Sequence, residues 1–187
     1  GGIYVRIDRK RKFPVTALLR VLGASTTEKI QTLFAGNEFA RPYIEKTLAK
    51  DHTKTVDDSY IEMHKKLRDG DLATAENARE FIDGIFSSER YDISKVGRFR
   101  FNKRFGKMVN ESDVERRTIN LDDVVTIVNH IIHLNTTPGS QADDIDHLGS
   151  RRVRYVGELL QQKIRIGLSQ IKRNIQDRMS TVDIATA

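Results

Sequence analysis

The sequence predicts an α+β fold that is predominantly helical and ends in a long amphipathic helix. Apolar residues recur at spacings of three and four in several segments, which is the period of an α-helix with one buried face. Near the N-terminus, Ile3, Val5 and Ile7 alternate with other residues in the manner of a half-buried strand. With 187 residues the chain is long enough to bury a core, as one domain or as one domain and a fraction.

Boundary residues place two helices after this strand. Pro14 suits the first turn of a helix, where its missing N–H costs no hydrogen bond, and Gly23 ends that helix. Ser25 or Thr26 caps the second helix. We interpret the next segment, residues 42–54, as a loop.

Two further helices are predicted before residue 87. The third helix covers about 56–68 and ends before Gly70, and Thr74 caps the fourth. Their inward positions follow the helical period: Tyr60, Ile61, His64 and Leu67 in the third helix, and Ala78, Phe81, Ile82, Ile85 and Phe86 in the fourth.

Residues 90–107 have a different pattern, because aromatic and basic residues alternate there. Phe99 and Phe101 are interleaved with Arg98 and Arg100. This alternation predicts a short strand or an extended loop, with the aromatic side chains inward and the cations outward. Stacking of Phe99 or Phe101 on a nucleobase is an alternative, but we favour burial of both rings in the core.

Two more helices are predicted after this segment. Asn120 caps the first of them, with Asp123 at the third helical position. An exposed loop over residues 135–142 separates it from the final helix. One face of the final helix carries the apolar residues Val153, Val156, Leu160, Ile164, Leu168, Ile171 and Ile175.

The net charge is +6, and the distribution of the charge is more informative than its size. Basic residues gather in three clusters, at residues 6–12, 95–107 and 151–154. If these clusters converge in space, they form a phosphate-binding face; otherwise they are separate solvated patches. The first cluster contains four consecutive cations, Arg9, Lys10, Arg11 and Lys12.

The composition also bears on the class of protein. The chain has no cysteine, which excludes disulfides and thiolate metal sites and suits a cytoplasmic protein. No apolar run approaches the length of a membrane span, and no signal peptide is visible. The chain begins Gly-Gly-Ile and ends in a polar tail, so we expect it to be part of a longer protein.

No motif for catalysis or metal binding passes a test of spacing. The Gly106-Lys107 pair is not a phosphate loop, because Phe101 stands where the first glycine belongs. A calcium loop starting at Asp144 fails, because Leu148 stands at the place of a ligand. The five histidines have no ligand spacing, so we expect structural or surface roles for them. The residues alone therefore predict a binding or scaffolding unit.

Residues 143–154 form the most distinctive segment, with three acids followed by a histidine, a glycine and three arginines. The arginines precede the final helix, although a helix N-terminus favours carboxylates. Two interpretations stay open from the residues alone. In one, the acids pair with the arginines; in the other, the arginines meet an external anion.

Three separated segments carry a resemblance to a known family. They are residues 5–20, which begin Val-Arg-Ile-Asp-Arg-Lys-Arg-Lys, residues 90–103, which begin Arg-Tyr-Asp-Ile-Ser-Lys-Val-Gly-Arg, and residues 143–158, which begin Asp-Asp-Ile-Asp-His-Leu-Gly-Ser-Arg-Arg. In this order they resemble the lobe region of the beta subunit of bacterial DNA-directed RNA polymerase. Ser150 departs from the family, where asparagine is common at this position.

The resemblance implies a lobe domain over residues 1–145, followed over 146–187 by a connector and the first helix of the returning protrusion domain. In this family the lobe lies above the downstream DNA duplex. The positions of Ile145, Asp146 and Arg151 line a pocket for one guanine of the non-template strand. A carboxylate can accept two N–H bonds from the Watson–Crick edge of an unpaired guanine, and an arginine beside it can hold a phosphate or the base.

The resemblance also implies partners. We expect contacts with the downstream duplex, with the non-template strand, and with the alpha, beta-prime and sigma subunits. The catalytic Mg²⁺ of the family is bound by another subunit, so neither a cofactor nor catalysis is expected of this chain alone. Four consecutive cations at residues 9–12 suit contact with duplex phosphates. The alternative is a stand-alone helical module that docks a protein partner through its basic face.

Overall fold

The computed structural model describes residues 1–68, 70, 73–107, 115–149 and 151–181. Within these ranges the chain forms a two-stranded sheet and eight α-helices. The predicted fold, predominantly helical α+β with a long C-terminal helix, is confirmed. The chain divides into two compact units, Gly1–Gln141 and Ala142–Ala187. The functional boundary expected between residues 145 and 146 stays a prediction.

The elements follow each other in a simple order. They are β1 (Tyr4–Arg6), β2 (Lys12–Pro14), α1 (Val15–Val21), α2 (Thr27–Leu33), α3 (Arg41–Leu48), α4 (Val56–Leu67), α5 (Ala75–Phe86), α6 (Ser94–Arg104), α7 (Leu121–Thr136) and α8 (Val156–Thr181). All but α8 belong to the first unit.

The two strands form an antiparallel hairpin at the start of the first unit. The sequence predicted β1 but not β2, because β2 is three residues long and has no room to show an alternation. The Val15 N–H donates to the Ile3 carbonyl at 3.1 Å, so the hairpin is joined to the start of α1. The Ile3 N–H donates to Thr47 Oγ1 at 2.8 Å, which fastens the hairpin to α3.

Helix α1 lies at the centre of the first unit. Its residues 15–20 are all buried, and it packs against both strands and against α2, α3 and α4. Helix α4 in turn packs along α5. The main buried apolar side chains are Phe13, Val15, Leu18, Leu19, Ile30, Phe34, Ile44, Met63, Ile82, Val128 and Ile132.

Two polar residues of α1 face this core and find polar partners there. Arg20 Nη1 donates to Asp51 Oδ2 at 2.8 Å, and both side chains are almost fully buried. The Thr16 hydroxyl donates to the same carboxylate oxygen. Asp51 Oδ1 accepts the N–H and the hydroxyl of Thr53, at 2.9 and 2.6 Å. A buried charge is tolerated only when it is paired and hydrogen-bonded in this way.

The predicted helix caps are confirmed. Thr26 and Thr74 accept hydrogen bonds from the backbone three residues ahead. Asn120 and Asp123 cap each other reciprocally at the start of α7. Each such cap supplies a partner for a backbone N–H that the helix itself cannot satisfy.

The loop predicted over residues 42–54 is wrong for its first half, where α3 forms. Pro42 lies in the first turn of this helix, where proline is tolerated. Only Ile44 and Thr47 of α3 are buried. An inward face that includes a threonine is not visible in a hydrophobic pattern, and the prediction therefore missed it.

The strand or extended loop predicted within residues 90–107 is also wrong, because residues 94–104 form α6. The expected orientation is reversed as well. Arg98 and Asn102, four residues apart, are the buried residues of α6, whereas Phe99 is 45% exposed. Phe101 is half-buried and packs on Phe105 with 4.7 Å between the ring centroids. The inward stripe of α6 is polar, so a search for apolar periodicity does not detect it.

Arg98 is fully buried and connects three parts of the chain. Its Nη1 donates to Asp123 Oδ2 of α7 at 2.9 Å. Its Nε and Nη2 donate to the carbonyls of Arg116 and Thr118, at 2.7 and 2.6 Å. Lys107 Nζ and Arg116 Nη2 each lie 3.6 Å from the other oxygen of Asp123. One buried carboxylate therefore organises three cations.

Helix α8 belongs to the second unit and has no buried residue in its described length. Its apolar side chains are exposed instead, and Leu160, Ile164 and Leu168 each expose more than half of their surface. Such a continuous apolar stripe is unusual on the surface of a soluble domain.

Replacement of Arg98 by methionine is expected to lower the free energy of unfolding by about 3–5 kcal/mol. The reason is that the buried Asp123 carboxylate loses its hydrogen-bonded cation. Urea unfolding of the chain, followed by circular dichroism, measures the change. Lys95→Met on the same helix is the matched control. Lys95 forms an exposed ion pair with Glu115, so its loss should cost less than about 1 kcal/mol. Equal effects of the two variants would show that the Arg98 pair does not carry the expected stability.

The Tyr60 phenol is expected to ionise at a higher pH than an ordinary tyrosine. Burial, and then its hydrogen bond to Asp83 Oδ1 at 2.8 Å, raises the pKa of Tyr60 to about 12 from 10.0. Because the folded-state pKa is raised, the associated stability is present below pH 10 and is lost as the pH rises through about 12. Burial also raises the pKa of Tyr91, so the diagnostic signal is the step near pH 12. In an absorbance titration Tyr60→Phe should remove this step, and Tyr4→Phe, on β1, should leave it in place. A step near pH 12 that survives Tyr60→Phe contradicts this assignment.

Candidate nucleic-acid interface

The first basic cluster lies on the loop of the β1–β2 hairpin. Arg9 and Lys10 are exposed, Arg11 is half-buried, and Lys12 opens β2 with an exposed side chain. The Arg9 N–H donates to Asp8 Oδ1 at 2.5 Å, which shapes the turn. Lys12 Nζ lies 5.0 Å from the centre of the Tyr4 ring across the hairpin. The short strands therefore present several cations on one compact loop.

The second basic cluster is divided between structural and surface roles. Arg98 is fully buried and cannot meet a phosphate. Lys95 pairs with Glu115 at 2.9 Å, and this pairing lowers the pKa of the Glu115 carboxyl. Lys107 faces the buried Asp123. Arg98 therefore cannot belong to a phosphate-binding face, because it is buried beside Asp123.

The charged turn of the second unit exposes the three residues that the family resemblance singles out. Ile145 is 80% exposed, and the side chains of Asp146 and Arg151 are 81% and 63% exposed. Arg151 Nη1 donates to Asp146 Oδ1 at 3.1 Å. Pairing of an acid with an arginine, one of the two interpretations left open, is thus present in this structure at these two residues.

The backbone of the turn is fixed by two short-range hydrogen bonds. The Asp146 N–H donates to Asp144 Oδ1 at 3.0 Å, and the Gly149 N–H donates to His147 Nδ1 at 3.0 Å. A Cβ at Gly149 would stand 3.0 Å from that imidazole nitrogen, so glycine keeps the turn tight. These bonds hold the Asp146 side chain at the surface of the turn.

The other two arginines of the turn are held by α8. Arg152 donates to both carboxylate oxygens of Glu158, at 3.0 and 2.5 Å. Arg154 Nη1 lies 3.4 Å from Gln162 Oε1. Glu158 lies in the first turn of α8, where a carboxylate is favourable. The unfavourable placement of arginines before the helix is thereby offset.

The family model for RNA polymerase Rpb2, domain 2, matches residues 1–154 of the chain. The chain belongs to this family. The Rpb2 domain 2 match covers the whole first unit and the charged turn, and it ends two residues before α8 begins. It therefore includes every residue of the candidate interface, from Arg9 to Arg151.

Membership of the Rpb2 domain 2 family confirms the coarser part of the prediction. The chain is a lobe of the second-largest subunit of a DNA-directed RNA polymerase, which is a nucleotidyltransferase. As such it takes part in transcription, in an assembly with other polymerase subunits and DNA.

Metal binding and membrane insertion find no support in the part of the chain that the structure describes. Among the described residues, no three of the His, Asp or Glu side chains are grouped so that they could hold a metal ion. Over the same ranges, no helix is both long enough and apolar enough to cross a membrane.

Proposed function

We propose that this Rpb2 domain 2 chain is the lobe of a bacterial-type beta subunit and that it grips downstream DNA and the non-template strand. The observation that carries the proposal is the conjunction of the family match over residues 1–154 with two exposed charged loops. The hairpin loop supplies cations for the duplex backbone. The charged turn supplies a carboxylate and a guanidinium for an unpaired base.

The hairpin loop is suited to phosphate contact without sequence readout. Its cations stand on a loop that is only five residues long between β1 and β2, so their backbone positions are tightly constrained. Lysine and arginine side chains that neutralise phosphates release counterions, and this supplies affinity that does not depend on base sequence.

The charged turn is suited to an unpaired guanine. Asp146 can accept the two N–H groups of the Watson–Crick edge, which are exposed only after melting. Ile145 offers an apolar surface for the base, and Arg151 can turn towards a phosphate. The Asp146–Arg151 pair is exposed on both sides, so opening it costs less than about 1 kcal/mol. A base can therefore compete for either partner.

The exposed stripe of α8 supports the proposal that residues 146–187 continue into a neighbouring protrusion domain. An apolar helix face gains stability when a second element covers it. In the proposed enzyme the alpha, beta-prime and sigma subunits complete the assembly, a different subunit binds the catalytic Mg²⁺, and the location is cytoplasmic.

A stand-alone helical module that docks a protein partner does not fit the family match, because that family is a domain of a polymerase subunit. Within the polymerase, the exposed and consecutive cations at residues 9–12 suit an acidic protein surface as well as DNA.

Replacement of Lys10 and Arg11 by alanine in the whole polymerase is expected to weaken downstream DNA binding to the same extent on all sequences. The plot of log affinity against log salt concentration should become flatter by about 0.9 for each phosphate that the variant no longer neutralises. Binding of the enzyme to a downstream fork duplex, titrated at several salt concentrations, gives both quantities.

The double variant Lys46→Ala/Lys50→Ala is the matched control, because it removes the same charge from exposed positions at α3. It should leave the salt slope unchanged if the hairpin cations act by direct contact. A hairpin variant with the wild-type slope, or a control that flattens it equally, would exclude direct phosphate contact by the hairpin.

Replacement of Asp146 by alanine is expected to remove a preference for guanine at one non-template position. The loss should correspond to roughly 1–3 kcal/mol of discrimination. The measurement is the lifetime of the open complex on templates that differ only at that position, for the wild-type and variant polymerases. Folding should be nearly unaffected, because the ion pair that the variant removes is exposed.

Asp122→Ala is the control, because it removes an exposed carboxylate from α7 and should retain the preference for guanine. If the Asp146 variant also retains it, Asp146 is a structural residue of the turn. A uniform shortening of all lifetimes would likewise place Asp146 outside base recognition.

A further inference from the structure

A cleft of about 580 Å³ lies between α4 and α5, on a surface that the proposed DNA contacts do not use. Residues from the end of α4, from one face of α5 and from the segment that follows α5 line it. These are His64, Arg68, Asn77, Glu80, Phe81, Gly84, Ser87, Glu89 and Arg90. The cleft therefore combines two guanidinium groups, one imidazole and two carboxylates.

His64 is the buried polar group of this cleft. It is 3% exposed, and its ring meets the Phe81 ring edge-on with 5.2 Å between the centroids. Its Nδ1 is buried and has no hydrogen-bond partner within the part of the chain that the structure describes. Buried polar atoms are rarely left unpaired in native proteins. The wall of the cleft therefore contains a buried polar atom without a partner among the described residues.

The two arginines lie along one face of α5. The Arg68 guanidinium carbon is 4.8 Å from the centre of the Phe81 ring. Arg90 Nη1 lies 4.0 Å from the place where a Cβ of Gly84 would stand. Phe81 and Gly84 are three residues apart, which is an advance of about 4.5 Å along a helix. Both guanidinium groups therefore lie beside neighbouring positions of α5.

We propose that this α4–α5 cleft binds the carboxylate of an Asp or Glu side chain on a second protein. Arg68 and Arg90 would hold the carboxylate oxygens, with the Asn77 amide as a neutral partner. The cleft shares no lining residue with the hairpin loop or the charged turn, so binding at the cleft can be tested independently of DNA binding.

The acids of the cleft select the kind of anion. Glu80 and Glu89 are exposed at the same cleft and repel added negative charge. A phosphate carries about −1.5 to −2, so it is repelled more strongly than a carboxylate of charge −1. A nucleic-acid strand brings a row of phosphates and is disfavoured further.

The exposure of the lining indicates a protein rather than a small molecule. Arg68, Asn77, Glu80, Glu89 and Arg90 are all exposed. Small-molecule sites enclose most of the ligand surface, and these side chains leave the cleft too open for that. A side chain that projects from a protein surface needs no such enclosure, because the rest of its interface lies outside the cleft.

The test uses the full 187-residue chain and four probes. These are acetyl-Gly-Asp-Gly-amide, the matching Asn peptide, inorganic phosphate and a single-stranded oligonucleotide. The imidazole signals of His64, assigned through the contact with Phe81, are followed by nuclear magnetic resonance. We expect a saturable shift with the Asp peptide in the low millimolar range and none with the Asn peptide.

Arg90→Gln should weaken binding of the Asp peptide roughly tenfold, because a charge-assisted hydrogen bond is removed. Arg90 is exposed, so the variant should fold. Arg41→Gln on α3, also exposed, is the matched control and should bind like the wild type. The proposal is overturned if the Asp peptide gives no saturable shift, if phosphate or the oligonucleotide binds more tightly, or if Arg90→Gln has no effect.

Discussion

The ion pair between Arg98 and Asp123 is the constraint on which the second half of the first unit depends. It joins α6 to α7 and holds the segment before α7 through two carbonyl groups. Removing two charges from water is costly, and this cost is offset by the three hydrogen bonds that Arg98 donates and by the two further cations 3.6 Å from Asp123 Oδ1. Because Arg98 takes the inward position, α6 is forced to present Val96 and Phe99 to solvent. The surface of α6 is therefore a consequence of the buried pair.

Local chemistry was predictable wherever it depends on neighbouring residues. Thr26, Thr74 and Asn120 are caps because a short oxygen-bearing side chain precedes a helical pattern. Arg98 could not be placed in the same way. An arginine is ordinarily a surface residue, and the burial of Arg98 depends on a carboxylate twenty-five positions later. That pairing exists only in the folded chain, so the segment was predicted as a strand or extended loop with its aromatic residues inward and its cations outward.

The candidate interface shows the same division. The sequence showed that charged residues concentrate at residues 9–12 and 143–154. The family resemblance suggested their ligands, which are duplex phosphates and an unpaired guanine. The sequence did not show which cations are exposed to a ligand. Lys10 and Arg98 both lie in basic clusters, but Lys10 is exposed and Arg98 is buried. Likewise, the sequence could not choose between pairing and an external anion for the charged turn. The geometry is compatible with both interpretations. Asp146 and Arg151 are paired with each other, and both side chains are exposed, so an external group can replace either partner.

The junction between β2 and α1 has a mechanical consequence. Pro14 is the last residue of β2 and the cap of α1, so no linker separates strand from helix. Its ring fixes one of the two backbone torsions at this point, and Thr47 fastens the other side of the hairpin to α3. The hairpin is consequently attached to two helices, to α1 by the chain itself and to α3 by the Ile3–Thr47 hydrogen bond. A ligand bound at Arg9 or Lys10 is therefore connected, through a few residues, to the buried helix at the centre of the unit.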